Sequence, residues 1–102
     1  MRIKTGTYTG DGAATQAIVG VGFQPKLVII HKQIPGQNVY DQGWKTSSDG
    51  INTMFVQADA GFRYGDDHII SLDADGFTVG DGTGWANVFN INAIDYAYIA
   101  FT

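Results

Sequence analysis

The chain has 102 residues, 44% of them hydrophobic, no cysteine and a formal charge of −4. That length fits one domain around one core, and the lack of cysteine excludes a disulfide framework, a thiolate nucleophile and a zinc–sulfur centre. The six Lys and Arg are scattered and the pI is about 4.6, which argues against nucleic acid as a partner.

Residues 3–9 alternate, with Thr5, Thr7 and Thr9 on one side, which predicts a pleated strand. Gly10-Asp11-Gly12 reads as a turn, because glycine takes positive φ freely. A short strand over 16–19 closes at Gly20-Val21-Gly22-Phe23-Gln24-Pro25. Residues 26–32 are the most apolar run, and its continuity predicts a central strand buried on both faces. The polar stretch 33–43 predicts a long connection, 43–46 a short strand, Ser47-Ser48-Asp49-Gly50 a turn and 52–58 an alternating strand. Residues 61–67 read as irregular. Residues 68–73 and 77–80 predict a hairpin about Ala74-Asp75-Gly76. A glycine-rich turn over 80–84 leads to a penultimate strand over 85–91. In the last strand, 95–102, Tyr96, Tyr98 and Ala100 point one way, and Ala97, Ile99 and Phe101 the other. Neither of its faces holds a charge within this set, so protein is expected to cover both, from this chain or a neighbour.

Leu occurs only at Leu27 and Leu72, and every acid is Asp. Helix formers are thus scarce, while Ile, Val, Gly and Asp favour strands and turns. Eight or nine short strands with regular turn signals predict an all-β fold, a β-sandwich of jelly-roll-like character in a single domain over 1–102. No stretch approaches the ~20 apolar residues that span a bilayer, so no membrane insertion is expected. The N-terminal Met1-Arg2-Ile3-Lys4-Thr5-Gly6 lacks the apolar run of a signal peptide.

Several groupings have the outline of a chemical site. Asp73-Ala74-Asp75-Gly76 begins like a calcium loop, but an EF-hand ends on a bidentate Glu and the chain has none. A looser Ca2+ site using Asp73 and Asp75 is the alternative to a plain hairpin turn. His31 and His68 sit at predicted strand ends, far apart in sequence and without an evident third ligand. Ser47, Ser48 and Ser71 lack a nucleophile elbow. Gly80-Asp81-Gly82-Thr83-Gly84 lacks the Lys and helix of a phosphate loop. No catalytic residue, metal or cofactor is assigned. Tyr40, Trp44, Phe62, Tyr64 and Trp85 lie in or beside predicted loops. Such rings either close the core and subunit contacts or stack on a ligand, including sugar rings.

Four segments recur in a known order: Gly6-Thr7-Tyr8-Thr9-Gly10-Asp11-Gly12; Val21-Gly22-Phe23-Gln24-Pro25-Lys26-Leu27-Val28; Asp73-Ala74-Asp75-Gly76-Phe77-Thr78-Val79-Gly80; and Tyr96-Ala97-Tyr98-Ile99-Ala100-Phe101. Together they resemble a family of small β-modules in tailed-bacteriophage virion proteins, especially tail-fibre and decoration-type surface proteins. The resemblance implies a non-enzymatic virion protein that packs with capsid or tail proteins and with itself, a trimer being the expected assembly. A host surface glycan is a further expected partner. A module filling the chain from Met1 implies a head-decoration or tip subunit more than a fibre shaft. Phe23, Pro25, Phe77 and Phe101 are assigned to folding, and the recognition loops to 33–40 and 61–67. The rival readings are a carbohydrate-binding module and a small glycan-degrading enzyme using two of the ten Asp residues.

Overall fold

A computed structural model describes residues 1–33, 41–57, 61–81 and 89–102. Among them are nine strands and no helix: β1 (Ile3–Thr9), β2 (Thr15–Ile18), β3 (Leu27–Gln33), β4 (Gln42–Thr46), β5 (Thr53–Gln57), β6 (Gly61–Gly65), β7 (Ile69–Asp73), β8 (Gly76–Gly80) and β9 (Asp95–Phe101). They form two antiparallel sheets in a sandwich-like all-β fold. The larger has the order β1-β9-β3-β4-β5-β6 and the smaller β2-β8-β7. The strand β9 lies in the middle of a three-strand block, paired along its length with both β1 and β3. The expected hairpin forms from β7 and β8, with a bulge between Ile69 and Ser71.

The structure corrects the sequence reading in three places. Residues 61–65, expected to be irregular, form β6 in register with β5. Their two glycines and the Asp pair that follows suggest a loop, but five cross-strand pairs outweigh that local preference. Phe89-Asn90-Ile91, expected to end a strand, are not in one, and the rest of that expected strand lies outside the described residues. Strand β3 is central as expected, yet only its Val28 and Ile30 face is buried; Leu27 and Ile29 are half-covered and His31 is exposed. Of the four residues assigned to folding, Phe23, Pro25 and Phe77 are buried. Phe101 is half-buried and alternates onto the outer side of the large sheet.

The core lies between the sheets and is rich in aromatic rings. Tyr8 stacks on Tyr96 at 5.0 Å between centroids, and Phe77 meets Tyr8 and Tyr98 edge-on. The rings keep their hydroxyls satisfied, as buried phenols must. Tyr8 donates to the Phe89 carbonyl at 2.9 Å, and Tyr96 accepts from the Ile91 N–H at 3.0 Å. Burial raises both phenols, Tyr96 to about 12, so both stay neutral. On β1, Gly6 faces Tyr98 across the ladder, and a Cβ there would lie 2.6 Å from the Tyr98 hydroxyl. Glycine is therefore required for that ring to cross β1.

Side chains tie the two sheets and the turns between strands together. Thr53 Oγ1 on β5 accepts from the Ile69 N–H at 2.8 Å and donates to the Ile69 carbonyl at 3.1 Å. One hydroxyl thus satisfies both backbone groups of a β7 residue. Asp75, in the β7–β8 turn, accepts from the N–H groups of Gly20 and Gly22 at 3.0 and 2.7 Å. Both glycines have positive φ, which turns their N–H groups toward the carboxylate. Buried Asn90 holds the β1–β2 turn, donating to Asp11 Oδ1 and the Ala13 carbonyl, each at 2.9 Å.

Candidate functional site

Strand alternation gives the large sheet an inner face and an outer one. On the outer side the register aligns Ile99 of β9 with Ile29, Trp44, Met54 and Tyr64 across β3 to β6. The next row runs Ala97, His31, Gln42, Val56 and Phe62. A third joins Ile3, Phe101, Leu27 and Thr46. An antiparallel sheet with one face in water normally alternates apolar and polar residues. Here many outward positions are also apolar, with Phe62 75% exposed, Ile3 59%, Tyr64 55% and Ile99 37%, while Thr5, Thr7, His31, Gln42 and Thr46 interrupt them.

Three of the five aromatic candidates therefore share one surface. Trp44 and Tyr64 flank Met54 in one row, and Phe62 stands in the next. They project from a sheet face, not from loops, and Trp44 is half-buried outside the core cluster. Tyr40 and Trp85 lie outside the described residues, as does most of the expected recognition stretch 33–40. Tyr64 is pinned: its hydroxyl donates to Asp49 Oδ1 at 3.0 Å. The Asp49 carboxylate also accepts from the Thr46 N–H at 2.8 Å, and that bond holds its carboxyl below the usual range. The bond to Asp49 in turn raises the Tyr64 phenol.

The other candidate groupings do not come together. The Asp73 carboxylate accepts from the Ser71 and Thr78 hydroxyls, while Asp75 serves Gly20 and Gly22. The turn reading thus accounts for both acids. His31 lies on the outer face, and His68 is fully buried between Phe55 and Phe89, 4.1 and 6.2 Å away by ring centroid. Burial holds the His68 imidazole below its ordinary value, so it is neutral near pH 7. Among the described residues no group of three His, Cys, Asp or Glu could hold a metal. A groove of about 390 Å³ opens at one end of the sandwich beside Gln24, Lys26, Lys45 and Ser71. The Lys45 side chain is buried, its ammonium lowered by desolvation and bound to the Asn52 carbonyl at 2.6 Å.

Sequence reading groups Ala97, Ile99 and Phe101 on one side of the last strand but does not join them with Ile29 and Met54 into one face. For Ile29, Ala97 and Ile99 the signal was present in two strands that are apolar on both sides, residues 26–32 and 95–102, whereas Met54 lies in the alternating strand 52–58. The alignment of those residues into rows depends on strand order, which local sequence does not encode.

The DUF7483 family, a domain of unknown function, matches residues 2–102. The chain belongs to that family. No curated protein matches it, nor does any solved structure.

Proposed function

We propose that this DUF7483 member is a non-enzymatic structural protein of the bacteriophage virion surface, a head-decoration or tail-fibre or tip module. It contributes to particle assembly, surface decoration or host attachment by packing against other macromolecules. The observation that carries the reading is the apolar outer face of the six-stranded sheet. A contiguous apolar surface of this kind marks an interaction site. Burying it releases roughly 25 cal/mol per Å². The four ordered motifs that resemble virion surface modules supply the setting.

Quantitative mass spectrometry of purified particles tests the proposal. The chain should occur at a fixed copy number per particle, and a folded Ile99→Lys variant should be depleted. Particles that lack the chain, from cells that make it, would sink the proposal.

A carbohydrate-binding module is the second reading, favoured by the convergence of Trp44, Phe62 and Tyr64 on one surface. A glycan array separates the two. Binding that disappears in Trp44→Ala and Tyr64→Ala would move the assignment to a glycan module; a blank array supports the structural role.

A further inference from the structure

We infer that the outer face is a two-fold self-interface in which Phe62 of each copy enters a depression over Ala97 of the other. The inference rests on reading that face as a docking surface, and it names the partner. The depression has a volume of about 350 Å³ and is lined by Thr5, Thr7, His31, Ala97 and Ile99. It exists because Ala97, the smallest side chain in its row, sits between Thr7 and His31. Phe62 is the counterpart, an aromatic side chain 75% exposed on β6.

Knob and hollow occupy the same row, and β9 and β6 are four strand spacings apart, or about 19 Å. A two-fold axis in the plane of the interface, running along β4, exchanges the places of β9 and β6. It preserves position along the strands. Each Phe62 then stands over the other copy's Ala97, both contacts form together, and Trp44 lies near its own counterpart. Sheets packed face to face cross at about −30°. The hollow extends along β9 from Ala97 to Ile99 and accommodates the offset such a tilt introduces.

Charge and shape favour a second copy over other occupants. The face covers five strand spacings of about 4.8 Å and three rows about 7 Å apart. Its projected area is about 500 Å² before side-chain relief, a modest patch beside the roughly 800 Å² each partner gives a standard complex. None of the three rows contains a carboxylate; Asp95 lies beyond them, paired with Thr9 and Gln33. Two acidic chains can thus meet without opposing like charges. A copy of the same sheet brings the same twist. An added peptide strand uses a sheet edge instead.

Sedimentation equilibrium at about 100 µM, far above a Kd of about 1 µM, should show a dimer. Phe62→Ala and Ala97→Trp should each weaken it at least about 30-fold, the loss expected at an aromatic hot spot. Far-UV circular dichroism checks that each variant is folded. Because the chain has no cysteine, disulfide mapping is selective. Phe62→Cys combined with Ala97→Cys should link two copies on oxidation, Trp44→Cys should do so alone, and Phe62→Cys alone should not. A trimer, a dimer unmoved by both substitutions, or a link from Phe62→Cys alone overturns the inference. A monomer that still joins particles through an Ile99-dependent contact overturns it and leaves the proposed function standing. A monomer whose Ile99→Lys form joins particles as well as the unaltered chain overturns both.

Discussion

The two faces of the six-stranded sheet are built from the same kinds of residue and meet different fates. Val28, Ile30, Phe55, Tyr96 and Tyr98 point inward and are buried. Ile29, Met54 and Ile99, one position along on the same strands, point outward and are half-buried or exposed, as is Trp44 on β4. Hydrophobicity alone therefore does not distinguish core from interface. The smaller sheet makes the difference, because its three strands cover one side of the larger sheet only. Inner residues stabilise the fold, whereas the energy stored on the outer side becomes available only on association.

The sharpest way to break this comparison uses two adjacent isoleucines. Ile30→Ala should destabilise the fold by about 2–5 kcal/mol, as core truncations do. Ile29→Ala should cost about 1 kcal/mol in dilute solution and act mainly on association. Urea unfolding of both variants at low protein concentration is the check; equal losses would erase the distinction between the faces.

Next in size is the tie that holds the small sheet to the inner face. Thr53→Val keeps the shape and removes the hydroxyl, leaving the Ile69 N–H and carbonyl without their shared partner. A loss of about 1–3 kcal/mol is expected, with faster amide exchange at Ile69. Unchanged exchange there would mean that Thr53 is dispensable.

Acid should act on the inner side through His68. Its folded-state value is lowered by burial, against the weaker opposing pull of Asp67 and Asp66. As pH falls below about 6.5 the unfolded chain takes up a proton that the folded chain resists. Stability present at neutral pH is then lost, by up to about 1.4 kcal/mol per pH unit, until the folded imidazole protonates. Unfolding curves between pH 7 and pH 5 should show this slope, and His68→Leu should flatten it. A slope unchanged in that variant would assign the effect to other groups.

The smallest expected effect is at the β7–β8 turn. Asp75→Ala should cost about 1 kcal/mol and speed exchange at the Gly20 and Gly22 amides, which lose their acceptor. It should leave association through the outer face untouched.

How much of this could be read from the chain depends on the range over which each signal acts. The strands β1, β3, β7 and β8 announce themselves through alternation, apolar runs and the Asp75-Gly76 turn, all local properties. Strand β6 does not, because Gly61, Gly65 and two aspartates mimic a loop, and only pairing with β5 makes the segment extended. The placement of β9 between β1 and β3 has no local signature. Without it Ile99 and Ile29 could not be known as neighbours, and nothing local gathers Trp44, Phe62 and Tyr64, which lie in or beside predicted loops, onto one face. His68 was seen as a strand-end histidine; its enclosure by Phe55 and Phe89 joins parts of the chain from both sides of β7.

The insertion of β9 between β1 and β3 has a consequence for biosynthesis. During translation, residues 3–9 and 27–33 emerge long before 95–101, yet they can be joined only through that late segment. A nascent chain on the ribosome thus carries two hydrogen-bonding edges with a strand-wide gap between them. Contacts this distant along the chain make for slow folding, and a product truncated before residue 95 would leave both edges open to intermolecular aggregation.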